Sequence, residues 1–476
     1  MKNFAKSVVS KFPKNIEYGD VRVILENSER MMVKNGQVEA ISSSEDLGFG
    51  IRVLLNGSWG FASSFKMDNA GIDNIMKQAI DIAKASSLAK NVTGVKLSGV
   101  KPVTGEYTTP YKEDPFKLSF EEKISLLLEA DKILRKENVK ISSSHLTFRR
   151  IYKIFASTEG SFIEQTVLVS GGGINAIAIK DGEMQNRSYG NYGTSGYEFV
   201  RDLKLVENAP RVQKEACELL TAEPCPSGSN TIILDSEQLV LQVHESIGHA
   251  VELDRVFGTE ASYAGTSFVT TEKLDKFKYG SEIVNITANA MTKDGLGTAG
   301  WDDEGVPAQV TPIIRNGIFV GYLSSRESAS IIGRNSSGAM RADGWDRIPI
   351  IRMTNVNMEP GSWKLEDLIA DTKDGLFLQS NKSWSIDDMR ENFQFGTEYA
   401  QKIKNGKLCG AIKDATYTGY TPEFWGNCDA ICNADYWQIH GVTNCGKGEP
   451  GQTMFVGHGT TPARFRNVKT GIFRKK

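Results

Sequence analysis

Apolar and polar positions change period several times along the first half of the chain, and each change marks an element. "VRVILENS" (21–28) and "GFGIRVLLNGSWGFASS" (48–64) carry β-branched and aromatic residues, and Asn56-Gly57 supplies a tight turn, so a hairpin is predicted. The period then becomes helical: in 70–86, Ile72, Ile75, Met76, Ala79, Ile80 and Ala83 share one face. Ser119 with Glu122 reads as a capping box that opens a second helix through 120–136. From 139 to 180 the pattern returns to long strands, with Glu159-Gly160 and Asp181-Gly182 as turns.

"SYGNYGTSGYEF" (188–199) is rich in Gly and Tyr and reads as a long hairpin connection or lid, since only Arg187 and Arg201 flank it with positive charge. Gly171-Gly172-Gly173 lacks the Gly-Lys-Ser/Thr ending of a phosphate loop. A helix at about 210–221 precedes "AEPCPSGSN" (222–230), where Pro, Gly, Ser and Asn interrupt all periodicity. The domain boundary is placed there, giving domains 1–222 and 223–476. A short strand, "TIILD", follows, with Asp235 or Ser236 as the cap of the next helix. Beyond 260, short strands and Gly-rich turns are expected, with helices near 364–371 and 397–404.

Composition narrows the function classes. The 476 residues are 40% hydrophobic and 24% charged with a formal net charge of -2, which offers no broad electrostatic surface to nucleic acid or an anionic membrane. The basic end "RFRNVKTGIFRKK" reads as a frayed, solvated tail. No run approaches the roughly 18 apolar residues of a membrane span, and the start lacks a secretory h-region, so a cytoplasmic protein is expected. Six Cys are too few for a disulfide framework in a chain of this length.

Candidate chemistry concentrates in "VHESIGHAVELD" (243–254). Only five His exist in the chain, yet His244 and His249 fall within six residues, with Glu245 beside the first. On a regular helix a five-residue step leaves side chains about 140° apart and ~7.5 Å apart along the axis, too far for both to reach one metal at ~2.0–2.1 Å. Shared ligation therefore requires a π-bulge, or a helix that ends before His249; Ser246 and Gly248 lie in the gap, and Gly lowers the cost of distortion. A catalytic zinc takes three protein ligands and leaves a position for water. Glu252, Asp254 or a distant residue are candidates for the third. Cys445, in "NCGKGEPGQTMFVGHG" (444–459), is a stronger one, because it sits among turn residues and not in a periodic apolar run. Cys428, Cys432, His440 and Cys445 match no common zinc-knuckle spacing, and "DDEG" (302–305) reads as a polar turn with a structural role.

Taken together, these two segments resemble the TldD/PmbA family of zinc metallopeptidases. His244-Glu245-x-x-x-His249 with the following "AVELD" matches the TldD branch, which the PmbA-like branch lacks, and Cys445-Gly446-Lys447 with Gly451-Gln452 matches the C-terminal signature. Weaker supporting blocks are 48–64, 302–307, 315–329 and 352–361; the "GEP" spacer after Lys447 is longer than in some members. The resemblance implies an α+β protein of two domains: an N-terminal α/β domain with a mixed sheet and flanking helices, and a mainly β C-terminal domain carrying the metal-site helix. It implies Zn2+ held by His244, His249 and Cys445, Glu245 as general base, and hydrolysis of short or unfolded peptides bound in extended form. It also implies a homodimer, or a heterodimer with a zinc-less PmbA-like paralogue. His458 is a candidate oxyanion donor. The rival reading is a non-catalytic, zinc-stabilised binding or regulatory protein, in line with older naming that invoked DNA gyrase.

Overall fold

The computed structural model describes residues 1–89 and 94–471. Its first sheet grows from two hairpins. β1 (Tyr18–Lys34) turns at Asn35-Gly36 into β2 (Gln37–Leu55), which turns at Asn56-Gly57 into β3 (Ser58–Ser64); all four turn residues have positive φ, as two-residue hairpins require. The second turn is the expected one, and the first extends the pairing well beyond the predicted segment. β4 (Thr104–Thr108), β5 (Val139–Ser157), β6 (Phe162–Lys180) and β7 (Glu183–Gly193) complete a mixed sheet in the order β3-β2-β1-β5-β6-β4, with β7 also on β6. Its one parallel pairing is β4 with β6.

Helices cover this sheet in two groups. α1 (Lys2–Ser10) and α2 (Asn69–Ser87) pack over Val21, Val23, Phe49 and Ile51, with Ile72, Ile75, Met76, Ala79 and Ala83 of α2 buried as their spacing dictates. α3 (Phe120–Leu134), α4 (Glu198–Leu203) and α5 (Leu205–Leu219) pack over Leu146, Phe148, Ile174 and Ala176. Ser119 caps α3, its hydroxyl accepting from Glu122 N–H at 3.1 Å. The three glycines at 171–173 serve strand packing: a Cβ on Gly171 would lie 2.4 Å from the Tyr192 ring and one on Gly172 2.2 Å from the His145 carbonyl oxygen.

The later part of the chain contains a closed barrel. β8 (Glu223–Pro224) and β9 (Gly228–Leu234) lead into α6 (Ser236–Val243). β10 (Ile286–Asn289), β11 (Val310–Arg315) and β12 (Ile318–Phe319) form a small sheet with β15 (Val356–Met358), while β13 (Met340–Arg341) pairs with β14 (Ile350–Ile351). The remaining strands are β16 (Asp374–Ile386), β17 (Asn392–Lys404), β18 (Lys407–Lys413), β19 (Thr416–Tyr420), β20 (Cys428–Ile431), β21 (Gln438–Lys447), β22 (Gln452–Thr460) and β23 (Ala463–Thr470). β16-β9-β23-β19-β17 closes on itself because β17 also pairs with β16. The ring surrounds Ile232, Leu234, Leu376, Leu378, Phe393 and Phe395, and α6 is anchored at its rim.

Three sequence expectations are corrected here. Residues 397–404 are the second half of β17, not a helix: Glu398, Ala400, Gln401 and Lys402 favour helix locally, but the segment pairs with β16 and β18 and buries Thr397–Ala400. "SYGNYGTSGYEF" is neither lid nor hairpin connection; β7 runs to Gly193 and the segment ends in α4. The basic C-terminal stretch enters the barrel as β23 between β9 and β19, and only 472–476 of that expectation lies outside the described residues.

The acidic turn 302–304 is buried and ties the two parts of the chain together. Asp303 binds Lys153 of β5 and lies 3.8 Å from Arg22 of β1; Glu304 binds Arg52 of β2 at 3.2 Å. Asp302 accepts the Glu304 and Val306 backbone N–H groups, both at 2.9 Å. Each buried carboxylate thus has a cation or backbone donors, which is the condition for keeping it there. No helix among the described residues is long and apolar enough to cross a membrane.

Candidate metal centre

Asp235 caps α6 by accepting from Gln238 N–H at 2.7 Å, and the helix stays regular to Val243. At His244–Gly248 it widens into a π-turn, in which the His249 N–H bonds the His244 carbonyl five residues back; a 3-10 turn, His249–Val251, follows. The extra residue is absorbed and the two imidazoles come together, ring centres 4.8 Å apart and nearly perpendicular. The widened turn has dedicated supports. Tyr279 donates its hydroxyl to the Ser246 carbonyl, and Trp425 Nε1 donates to Ser246 Oγ at 2.9 Å. Gly248 has ordinary helical φ of -50°, so conformational freedom is not its reason; a Cβ there would lie 2.2 Å from Met353 Sδ.

Cys445 arrives on β21, whose pairing with β22 is interrupted between Val442 and Cys445. Its Sγ lies 3.5 Å from His249 Nε2, and one donor atom from each of His244, His249 and Cys445 lies within 4.8 Å of the others. All three side chains are buried, and among the described residues no other such cluster exists. Cys428 sits on β20, and Cys432 packs with Ile233, Leu368 and Phe377, so no zinc knuckle forms. Glu252 and Asp254 stand outside the cluster.

Hydrogen bonds behind the imidazoles decide which nitrogen each presents. His458 Nδ1 sits 2.9 Å from the Val356 carbonyl, which can only accept, so Nδ1 carries the proton and Nε2 is free to accept. His244 Nδ1, 2.8 Å from that Nε2, is then the donor, and its own Nε2 keeps a lone pair. His249 Nδ1 donates to Glu252 Oε2 at 2.8 Å, leaving its Nε2 unprotonated beside the Cys445 sulfur. Such outer partners fix tautomer and ring orientation at metal centres. Burial pulls both imidazoles well below their ordinary pKa, so they are neutral, and pushes the Cys445 thiol up to about 11 against the opposing pull of Arg352. Two neutral imidazole nitrogens and one sulfur suit a borderline-soft cation, and that cation would stabilise the thiolate that burial disfavours.

Lys447, two residues past Cys445, locks the thiol loop to the histidine segment. It is fully buried, bonds Asp254 Oδ1 and the Ile351 carbonyl at 2.7 Å each, and lies 3.4 Å from Glu252 and 3.6 Å from Glu260. Three carboxylates hold its charge, and one of them orients His249. Arg352 bridges from the other side, donating to the carbonyls of Cys445 and Gln452.

Glu245 points into a cleft of about 660 Å³ whose walls also include His244, His249, Cys445 and Arg390. Burial raises its carboxyl while Arg390, 2.6 Å away, works in the other direction. The four residues singled out from the sequence therefore meet at one cleft. His458 does not serve as an oxyanion donor: it lies behind His244, fully buried, with both ring nitrogens engaged. Arg390 stands in no motif, and Arg352 opens the 352–361 block without a signal of its role; each reaches the site only through tertiary folding.

Models of three PmbA/TldA metallopeptidase regions match the chain: domain 1 at 19–83, the central domain at 113–222 and the C-terminal domain at 227–472. The chain belongs to the PmbA/TldD metallopeptidase family. It is 33% identical over 448 residues to Metalloprotease MJ0996 of Methanocaldococcus jannaschii, spanning 93% of this chain and 94% of that protein. A Saccharolobus solfataricus relative named Zinc metalloprotease TldD homolog is 24% identical over 444 residues, 90% of this chain and 91% of that one. The same fold occurs in the crystal structure of TldE from Thermococcus kodakarensis, with a TM-score of 0.76 at 17% identity over 98% of this chain and 100% of that one. Within this PmbA/TldD frame, the His-Glu-x-x-x-His spacing is accounted for by the π-turn, and the Cys-Gly-Lys motif supplies one cluster donor and the cation that seats it.

Proposed function

We propose that the chain is a zinc-dependent peptidase that hydrolyses short or unfolded peptides, with His244, His249 and Cys445 holding the metal and Glu245 acting as general base. The observation that carries this reading is the cluster of three donors, not four, bordering a cleft that Glu245 also lines. Structural zinc sites are closed by four protein ligands, whereas catalytic ones keep a position open, so the three-donor set favours hydrolysis over the rival binding-protein reading. The zinc wording in the Saccharolobus solfataricus relative's name supports the choice of metal.

A zinc bound there supplies Lewis-acid polarisation of a peptide carbonyl and of water. The protein's own residues do the rest. Glu245, buried and raised, accepts a proton from water and returns it to the leaving amine; Arg390 orients that carboxylate. Glu252 and His458 keep the two imidazoles in the tautomers that present Nε2. β21 offers an extended edge along the cleft from His440 to Gly446, and where its pairing with β22 lapses beyond Val442 a substrate strand can bond to backbone groups with little sequence preference.

Glu245→Gln is expected to retain zinc and to lose about 10²–10⁴-fold in kcat on a peptide mixture; undiminished turnover would remove Glu245 as the base. A homodimer, or a heterodimer with a zinc-less PmbA-like paralogue, working in the cytoplasm completes the proposal, and size-exclusion with and without such a paralogue distinguishes the two assemblies.

A further inference from the structure

The cleft does not end at the donor cluster. Gly190, Asn191, Glu237 and His440 border both it and a second lobe of about 430 Å³, so the two are continuous past the start of α6. α6 forms one wall throughout. Glu237, Leu241 and His244 follow at steps of four and three residues, which puts them on one helical face, and all three line the cleft. β21 runs along the opposite wall, from Cys445 beside His249 to His440, whose Nε2 is 3.3 Å from Ser236 Oγ. Glu237 thus marks the far end of a channel that begins at the donor cluster.

Its charge is only partly balanced: Arg187 and Arg211 pull on it from a distance, and Arg187 reaches it through the Ser380 hydroxyl, to which Arg187 donates at 2.6 Å. In the second lobe Arg187 and Arg211 are both engaged by Glu215, at 2.6 and 3.0 Å, and Arg187 also meets Glu398 at 3.3 Å. Glu237 accepts one bond, from Ser380 Oγ at 2.5 Å, and has no ion-pair partner among the described residues; Asp235 beside it is taken up with capping α6. The lobe therefore carries two cations bonded directly to other carboxylates and one acid, Glu237, that has no direct ion pair, at a place where a peptide would pass. Burial raises the Glu237 carboxyl despite the opposing pull of the Ser380 hydroxyl, Arg187 and Arg211, and an incoming cation in direct contact would offset the remaining cost.

We infer that Glu237 is a specificity-determining residue that receives a positively charged group of the substrate, about three residues from the scissile bond. The spacing follows from the helix: seven residues at about 1.5 Å each separate Glu237 from His244, about 10 Å, and an extended peptide advances about 3.3 Å per residue. The group is an ammonium or guanidinium, from a Lys or Arg side chain or from the peptide's free α-amine. A short peptide anchored by its amine would be cut a fixed distance from that end, while a longer one would be selected by a basic side chain. This inference rests on the peptide reading above and deepens it.

The test uses neutral peptides with blocked termini, a series in which one Lys is walked through the sequence, and an unblocked series presenting the α-amine. Turnover is followed by mass spectrometry on the zinc-loaded wild type, Glu237→Gln and Glu237→Lys chains. Equilibrium binding is measured on chains that also carry Glu245→Gln. In the wild type, Lys about three positions from the cut, or a free amine at that distance, is expected to raise kcat/KM and affinity about tenfold; which series shows it identifies the source of the cation. Glu237→Gln should flatten the profile, and Glu237→Lys should turn it into a preference for Asp or Glu at that position, a reversal that loss of folding cannot produce. A flat wild-type profile, or one unchanged in Glu237→Gln, would overturn the assignment while leaving the peptidase reading intact. Absence of both binding and cleavage for every peptide would overturn the two together.

Discussion

Lys447 shows how one side chain can govern a site without touching its chemistry. It is buried among Asp254, Glu252 and Glu260, and through Glu252 it is coupled to the imidazole of His249. Removing a single member of a buried charge set is costly because the others remain unpaired. Lys447→Met is expected to lower stability by about 3–5 kcal/mol in urea unfolding of the metal-free chain; a change below about 1 kcal/mol would mean that the three acids are neutral or solvated. Much of this was legible in sequence as a Cys-Gly-Lys motif, but the partners were not. Arg390 stands 145 residues from Glu245, Arg352 93 from Cys445, and His458 214 from His244. No local pattern reports contacts of that separation, and for that reason the sequence suggests a place in the cleft for His458, which stands behind His244.

Elements whose signals are local were read well. Asn56-Gly57 turns a hairpin, Ser119 and Asp235 cap their helices, and the apolar face of α2 is buried in the predicted register. The five-residue histidine spacing demanded a distorted helix, and the π-turn at His244–Gly248 is that distortion. Where tertiary pairing outweighs propensity the local pattern misleads, as at 397–404, whose helix-favouring residues are held in β17 by the barrel. The sequence suggests flexibility as the reason for Gly248, yet the residue answers to space. Gly248→Ala is expected to cost about 1–3 kcal/mol through overpacking, and Met353→Ala in the same chain should recover part of that loss. Strict additivity of the two in a double-mutant cycle would show that Met353 is not what keeps position 248 a glycine.

Across the whole molecule, the centre is built where a barrel helix, the β21–β22 hairpin and the β16–β17 turn converge, while buried ion pairs from Arg22, Arg52 and Lys153 tie the first sheet to the acidic turn 302–304. Neither barrel closure nor this latch could be read from the sequence, because both depend on pairings between distant segments. Burial also sets a pH response. His458 is lowered from an ordinary 6.5 to about 4, and His244 and His249 are lowered well below 6.5, all chiefly by desolvation. A base whose pKa falls on folding contributes stability that is present above its unfolded pKa and lost as pH drops through its folded one. The contribution of His458 to the stability of the metal-free chain should therefore hold from pH 8 to about 6.5 and decline toward pH 4, by about 3 kcal/mol; the difference between the urea midpoints of wild type and His458→Asn over that range checks the slope and its source.

X-ray absorption at the zinc edge of the metal-loaded chain tests the centre most directly. One sulfur at about 2.3 Å with two imidazole nitrogens at about 2.0–2.1 Å and one further light atom is the expected shell, with the sulfur lost in Cys445→Ser. A shell without sulfur, or one completed by a fourth protein ligand, would contradict it.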